Sequence, residues 1–430
     1  MVSLTAFNVQ GDAFLLEKEV KGKSNNYILV DGGQDEQFAE QYYKELKGKS
    51  INLVVCTHTD ADHVNGIISF FKKGFTCEEI WLPALWTANL TEILNGDNKF
   101  LQELALELKE AIKKDDFSLR KYTEQTKEKI REEVNIANEK GNIRNIIDLE
   151  EIIDEFRRDK EKLLSFFNYN KILRYPSYFT FGEYENVGRL LSFFDFNDVF
   201  NFYDKPLLWK YSELTGNIIK YYSKIVTIVL YAILRGVKRI RWWEYVENNG
   251  IMKSKINNCN EILTPLCHKE LKGVIKNYSK LYQYTLSKVN KESIVLLDKN
   301  DRILFSSDSD LEACKYIPKF VKGNEMLITS PHHGSRNNAT AYQKIKKYLS
   351  SCGIQGIWIR TDSAHISMGD DFPKILLDNR YCVNCYQWDS DRKRRMKITS
   401  DNQYIQAVYK RTWIINKENC ICQFGFLDKV

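Results

Sequence analysis

Residues 51–66, INLVVCTHTDADHVNG, limit this chain more than any other stretch. They open as an apolar, β-branched run through Val54 and Val55, the pattern of a buried strand. The run then breaks into His58, Asp60, Asp62 and His63, four potential metal ligands within six residues. A strand that ends in such a cluster delivers imidazoles and carboxylates to one point on a rigid edge. A Thr-Asp pair also caps helices, so a strand–loop–helix junction with Asp60 or Asp62 as N-cap is the plainer alternative. That alternative employs one aspartate and leaves two histidines without a reason. Metal binding employs all four.

A second strand of the same kind lies far downstream. Residues 326–330 read as another strand and end in Pro331-His332-His333-Gly334-Ser335, where the glycine lets the chain turn away. The chain has six histidines, and four of them fall in these two clusters. One of His332 and His333 is expected to bind metal, the other to orient a phosphate or shuttle a proton.

Composition sets the class. Charged residues make up 28% and hydrophobic residues 43% of 430 residues, the balance of a globular protein with ample core. A net charge of +6 permits an anionic substrate without demanding one. The opening MVSLTAFNVQ has no basic region and no long apolar run, and residues 225–234 are too short for a bilayer, which needs about 20 residues. The expectation is a cytoplasmic protein without membrane association, with its ten cysteines reduced. Cys382 and Cys385 form one C-x-x-C, but a structural zinc wants two such pairs at suitable spacing, and buried thiols are the better reading.

Residues 4–9 and 13–17 read as a hairpin around Gln10-Gly11-Asp12, and residues 27–30 as a third strand ending in Asp31-Gly32-Gly33. Residues 37–47 read as a short amphipathic helix and 78–83 as a further strand. From about residue 87 to 288 the chain becomes rich in Lys, Glu, Leu, Phe and Tyr with helical periodicity. Within it, the aromatic run at 193–203 is read as core ahead of a base-stacking surface. Residues 238–243, KRIRWW, alternate like a strand that is either solvated or aimed at a phosphate backbone. Alternation returns at 293–297 and 302–306, two strands joined by a turn-rich tetrapeptide.

HTDADH resembles the H-x-H-x-D-H signature of the metallo-β-lactamase fold, in its H-x-D-x-D-H variant. That variant is typical of the β-lactamase-like domain of ComEC DNA-uptake proteins and its soluble relatives. Other motifs are similar to that group's: Asn8-Val9-Gln10-Gly11-Asp12-Ala13, Leu29-Val30-Asp31-Gly32-Gly33, Asn290 to Val295, Leu304 to Asp308, and the His332-His333-Gly334-Ser335 turn. Ser307 stands where the group has glycine, and Phe372 stands where it has a histidine before proline, with His365 as a possible substitute.

The resemblance implies an α/β fold, the metallo-β-lactamase αββα sandwich, with residues 1–86 as its first half and 289–430 as its second. Residues 87–288 would be a large, mainly helical insertion, a cap or interaction region. It implies His58, Asp60, Asp62, His63, Asp308 and His332 as metal ligands, with Asp310 a nearby alternative to Asp308. Asp62 and His333 would be catalytic, and Ser335, Ser367 and His365 would bind substrate. Two divalent ions are implied, Zn²⁺ or Mn²⁺ with Mg²⁺ a third choice; the oxygen-rich ligand set tilts toward the harder ions. The implied activity is a metal-dependent hydrolase, a phosphodiesterase or nuclease acting on DNA or RNA. Alternatives are a hydrolase of a cyclic nucleotide, ester or lactone, or a component that binds a partner protein or a second copy through the insertion. Soluble relatives of this kind are expected in bacterial antiphage defence.

Overall fold

The computed structural model describes residues 1–19, 24–87, 212–246, 263–271, 290–298, 300–312, 324–335, 338–361, 371–389, 394–398, 404–410 and 412–416, with residues 90, 103, 106, 107, 314 and 317. The chain divides into two compact units. The first comprises Met1–Pro83, Val237–Leu271 and Asn290–Val430; the second comprises Ala84–Gly236 and Lys272–Val289.

The first unit is built on two sheets. Strands β1 (Val2–Phe7), β2 (Phe14–Lys18) and β3 (Asn26–Val30) form an antiparallel meander. Two single helical turns, α1 (Phe38–Gln41) and α2 (Tyr43–Leu46), replace the expected helix over 37–47. The break falls at Tyr42, which leaves helical geometry to send its hydroxyl to the Asn8 carbonyl, 2.9 Å away. Next come β4 (Ile51–Val55), helix α3 (Ala61–Lys72) and β5 (Cys77–Pro83). In the second unit, helix α4 spans Ser212–Leu234.

β6 (Arg239–Tyr245) then returns to pair in parallel with β5, and β7 (Thr264–Leu266) and β8 (His268–Glu270) follow. After them come β9 (Val295–Asp298), β10 (Ile303–Phe305), β11 (Glu325–Thr329), helix α5 (Ala339–Cys352) and β12 (Gln355–Arg360). The last strands are β13 (Arg380–Cys382), β14 (Cys385–Asp389), β15 (Arg394–Ile398), β16 (Tyr404–Tyr409) and β17 (Trp413–Ile415). One nine-stranded sheet runs β17-β16-β1-β2-β3-β4-β5-β6-β8 and a six-stranded sheet runs β13-β12-β11-β10-β9-β7; β14 and β15 pair separately.

The two sheets face each other across an apolar layer. Leu4, Phe14, Ile28, Val30, Leu53, Val55 and Trp81 of the first meet Leu296, Ile303, Phe305, Leu327 and Ile359 of the second. Strand side chains alternate between faces, so Phe7, Leu29, Val54 and Ile80 look the other way and are also buried. There Phe7 packs edge-on against Phe38 of α1, and the Ala39 N–H of α1 donates to Ser69 Oγ of α3. The outer face of the second sheet is closed by α5, whose Tyr342 stacks on Trp358 at 5.3 Å. Parallel strands need cover on both faces, which is why β4, β10 and β11 read as nearly continuous apolar runs.

Two expectations change. Residues 237–271, placed by sequence in the helical insertion, supply β6, β7 and β8 to the sheets. Arg241, read as facing solvent or phosphate, is buried and holds Glu79 of β5 at 3.0 Å. The sulfurs of Cys267 and Cys314 meet in the core of the second sheet. The helical character expected across 87–288 falls mostly outside the described residues, as does the aromatic run at 193–203. Cys382 and Cys385 are buried. Among the described residues, no helix is long and apolar enough to cross a membrane.

Candidate metal centre

β4 and α3 are joined without slack. The strand stops at Val55, and Asp60 holds extended backbone (φ −61°, ψ 144°) at the N-cap position of α3. Its side chain makes no capping bond, so the plain helix-cap reading does not account for it. Asp62 and His63 sit in the first helical turn, and two glycine turns brace them. The Asp12 N–H donates to the Asp62 carbonyl at 3.1 Å, and the Gly32 N–H to the His63 carbonyl at 2.8 Å. Gly11 (φ +82°) lies so close that a Cβ there would run into the Asp62 carbonyl oxygen, and Gly32 and Gly66 meet backbone to backbone in the same way. These contacts are the physical reason for glycine in both turns.

The second group of ligands arrives on the other sheet. β10 ends at Phe305 and presents Asp308; β11 ends at Thr329 and presents His332 and His333. Both histidines hold left-handed backbone (φ 46° and 50°), as do Ser307 (φ 47°) and Asp31 (φ 55°). Non-glycine residues rarely adopt that region, and each instance costs on the order of 1–3 kcal/mol. The conformation is held in place by neighbours. The His332 N–H donates to the Ser307 carbonyl at 2.9 Å, and Arg360 Nε donates to the His333 carbonyl at 2.6 Å.

Asp308 is the centre of the arrangement, 1% exposed. Its Oδ1 lies 3.2 Å from His63 Nε2 and 3.5 Å from His333 Nε2. Its Oδ2 lies 3.1 Å from His332 Nε2 and 3.6 Å from His58 Nε2. His63 and His333 approach each other at 3.2 Å, and Asp62 Oδ2 stands 3.3 Å from His333 Nε2. Two sets of donor atoms are close enough to hold a cation, Asp12/His63/Asp308/His333 and His58/Asp60/Asp308, and Asp308 is common to both.

The imidazoles are aimed from behind. His63 Nδ1–H donates to Asp31 Oδ2 (2.8 Å), and His333 Nδ1–H donates to Asp12 Oδ1 (3.0 Å), which also accepts the Thr361 hydroxyl at 2.6 Å. Each carboxylate fixes a tautomer and turns the Nε2 lone pair inward, the usual way a metal-binding histidine is oriented. His58 Nε2 is buried with no hydrogen-bond partner. Orphaned acceptors of this kind are costly unless something cationic meets them.

The charges respond to the crowding. Burial penalises the Asp308 carboxylate, but His332, His333, His63 and His58 outweigh it and hold its pKa well below the usual range. Burial also works against charge on His63 and His333; Asp308 and Asp31 overcome it for His63, and Asp12 and Asp308 for His333, so both lie well above 6.5. His332 goes the other way, pushed down by burial.

The structure thus brings His58, Asp60, Asp62, His63, Asp308, His332 and His333 into one centre. Asp310 is not among the clustered donors; its carboxylate accepts the Glu312 N–H at 2.7 Å. Ser335 is half-buried and closes the histidine turn through its backbone N–H on the His332 carbonyl, 2.7 Å. Ser367 and His365 lie outside the described residues. Phe372 is fully buried in the layer beneath α5. Sequence reading missed Asp12, Asp31, Thr57, Thr361 and Arg360 as supporting groups. Asp12 and Asp31 stood in the quoted motifs, and a buried carboxylate beside an obligatory glycine turn was the signal available.

Two facing sheets thus gather imidazoles and carboxylates from their strand ends around one shared aspartate, a donor set able to hold metal ions. A family model, the metallo-beta-lactamase superfamily, matches residues 7–133. No curated protein matches the chain.

Proposed function

We propose that this chain is a metal-dependent phosphodiesterase that acts on DNA or RNA with two divalent ions. The observation that carries the reading is Asp308, which offers one oxygen to His63 and His333 and the other to His58 and His332. A carboxylate shared between two donor sets is what a pair of ions requires. His58, Asp60 and Asp308 would hold one, and His63, His333, Asp62 and Asp308 the other. Oxygen and neutral imidazole in this proportion suit Mn²⁺ or Zn²⁺, and the carboxylates admit Mg²⁺. Two such ions, when bound, supply a hydroxide at neutral pH and screen the oxygens of a phosphoryl group.

The chain's own residues do the rest. Asp12 and Asp31 keep His333 and His63 in a single tautomer. Asp62, part-exposed where Asp308 is not, is placed to accept a proton from an attacking water. His332 is 22% exposed while His333 is 7%, which favours His333 as ligand and His332 as the imidazole that meets substrate, the reverse of the division expected from sequence. The motif set's resemblance to the ComEC domain supports a nucleic-acid substrate.

The test is cleavage of labelled single- and double-stranded DNA and RNA with Mn²⁺, Mg²⁺ or Zn²⁺, beside an Asp62→Ala/His63→Ala double variant. Metal-dependent cutting that the variant lacks is expected. An absence of cutting by protein that demonstrably binds metal would remove the nuclease reading and bring a small nucleotide or ester substrate forward.

A further inference from the structure

Asn338 stands at the N-cap position of α5, where an asparagine side chain ordinarily accepts a backbone N–H of the first helical turn. It makes no such bond. The residue is buried, 5% exposed, and its side chain serves another segment: Nδ2 donates to the Asp308 carbonyl at 3.1 Å and to the Ser309 carbonyl at 3.2 Å. Proton counting fixes the orientation of the amide. Its nitrogen carries two hydrogens and meets two acceptors; turned by half a revolution, its oxygen would face two carbonyls that have nothing to donate. Among the described residues, no other donor reaches either carbonyl.

What this clasp holds is the backbone of the one residue common to both donor sets. Other bonds anchor the chain to either side of it. The Ser307 carbonyl accepts the His332 N–H before Asp308, and Ser309 Oγ accepts the Leu311 N–H and donates to the Lys291 carbonyl after it. The carbonyls of Asp308 and Ser309 are left to Asn338. The imidazoles around the Asp308 carboxylate are no substitute, because an ion that takes up their lone pairs displaces those contacts, whereas the bonds to the backbone stay.

We propose that Asn338 is a positioning residue that sets the Asp308 carboxylate for both ions by clasping the backbone behind it. The proposal rests on the metal centre described above. It gives Asp308 the counterpart of what Asp31 does for His63 and Asp12 for His333, with an amide on the main chain in place of a carboxylate on a ring. Because Asp308 belongs to both donor sets, losing the clasp should be felt by both ions at once. A disturbance passed only through the turn that carries His332 and His333 would fall on one set.

Asn338→Ala removes both donors, and Asn338→Ser leaves a shorter side chain with one. The full chain, stripped of metal, is titrated with Mn²⁺ by calorimetry at a temperature where each variant is folded. Asn338→Ala is expected to weaken both binding steps together, by about tenfold, and Asn338→Ser by less. Lost stability alone leaves the affinity of folded protein unchanged. Ile345→Ala, a buried truncation in the same helix, is the control: its thermal midpoint should fall while its Mn²⁺ affinity stays that of wild type. Wild-type affinity in Asn338→Ala, weakening of one step alone, or equal weakening in Ile345→Ala would overturn the proposal. Should Asn338→Ala not fold, wild-type affinity in Asn338→Ser overturns it equally. Asp308→Asn is the companion measurement. If it abolishes Mn²⁺ binding while the Asn338 variants bind as wild type, the clasp alone is overturned; if all three bind as wild type, the metal centre beneath it is overturned too.

Discussion

Replacing Asp308 by asparagine removes one negative charge and almost no volume from the point where four imidazoles converge. The metal-free protein should feel it strongly. His63 and His333, at 3.2 and 3.5 Å, carry the raised pKa values. At an effective dielectric of ~20, each charged imidazole at that distance is attracted by ~5 kcal/mol, most of it offset by taking the charges out of water. Breaking such a buried set by removing one partner costs about 3–5 kcal/mol.

The sign of the pH dependence distinguishes this from generic damage. The raised His63 and His333 stabilise the fold fully below their unfolded value of 6.5, and the effect is lost as pH rises through their folded values. The depressed Asp308 stabilises above 3.8, and that is lost as pH falls through its folded value. The cost of Asp308→Asn should therefore peak between about pH 4 and 6.5 and shrink toward alkaline pH. Urea denaturation of metal-stripped wild type and variant across that range reads it directly. A cost that stays level with pH, or falls under about 1 kcal/mol near pH 6, would refute the charge argument.

Metal binding should release protons, because the ions must displace them from His63 and His333; Mn²⁺ affinity should climb with pH up to the raised imidazole values, and calorimetry in buffers of differing ionisation heat would count the protons. Asp31→Asn weakens the acceptor behind His63 and Thr57 and should cost about 10- to 100-fold in Mn²⁺ affinity; unchanged affinity would mean that Asp31 does not orient the ligand. Gly66→Ala forces a Cβ into the Gly32 carbonyl oxygen and should abolish the fold or cost more than about 3 kcal/mol, read as lost soluble expression or a collapsed thermal midpoint. Phe372→His, which restores the imidazole of the resembled group, should destabilise by about 1–3 kcal/mol without raising activity, because position 372 is sealed in the core.

What the sequence made legible was local. A buried strand followed at once by ligands is visible in a short window, so β4 with His58 to His63, and β11 with His332 and His333, could be located before any coordinates. The supporting groups are not local. Asp12 meets His333 from 321 residues away, and Ser307 meets Thr57 from 250, so nothing in their own neighbourhoods announces a partner. Periodicity also misled at the insertion's far boundary. KRIRWW alternates as a strand with one solvated face would, yet Arg241 of β6 is buried and paired with Glu79 of β5. Burial of a charge through a cross-strand partner cannot be read from the charged residue's own strand.

The parallel pairing of β5 with β6 has a consequence for how freely this protein can change. The chain leaves the sheet after Pro83 and rejoins it in the adjacent lane after the whole stretch Ala84–Gly236. In the unfolded chain, the entropy of closing a span of that kind grows only with the logarithm of its length, about 0.6 kcal/mol for each doubling. The sheet is therefore nearly indifferent to how much chain is stored between these neighbours, and lengthening or shortening the excursion barely taxes the ligand-bearing strands. The toll falls on time, because a pairing this distant in sequence can form only after a long search. Trimming the excursion should speed folding of the first unit far more than it stabilises it.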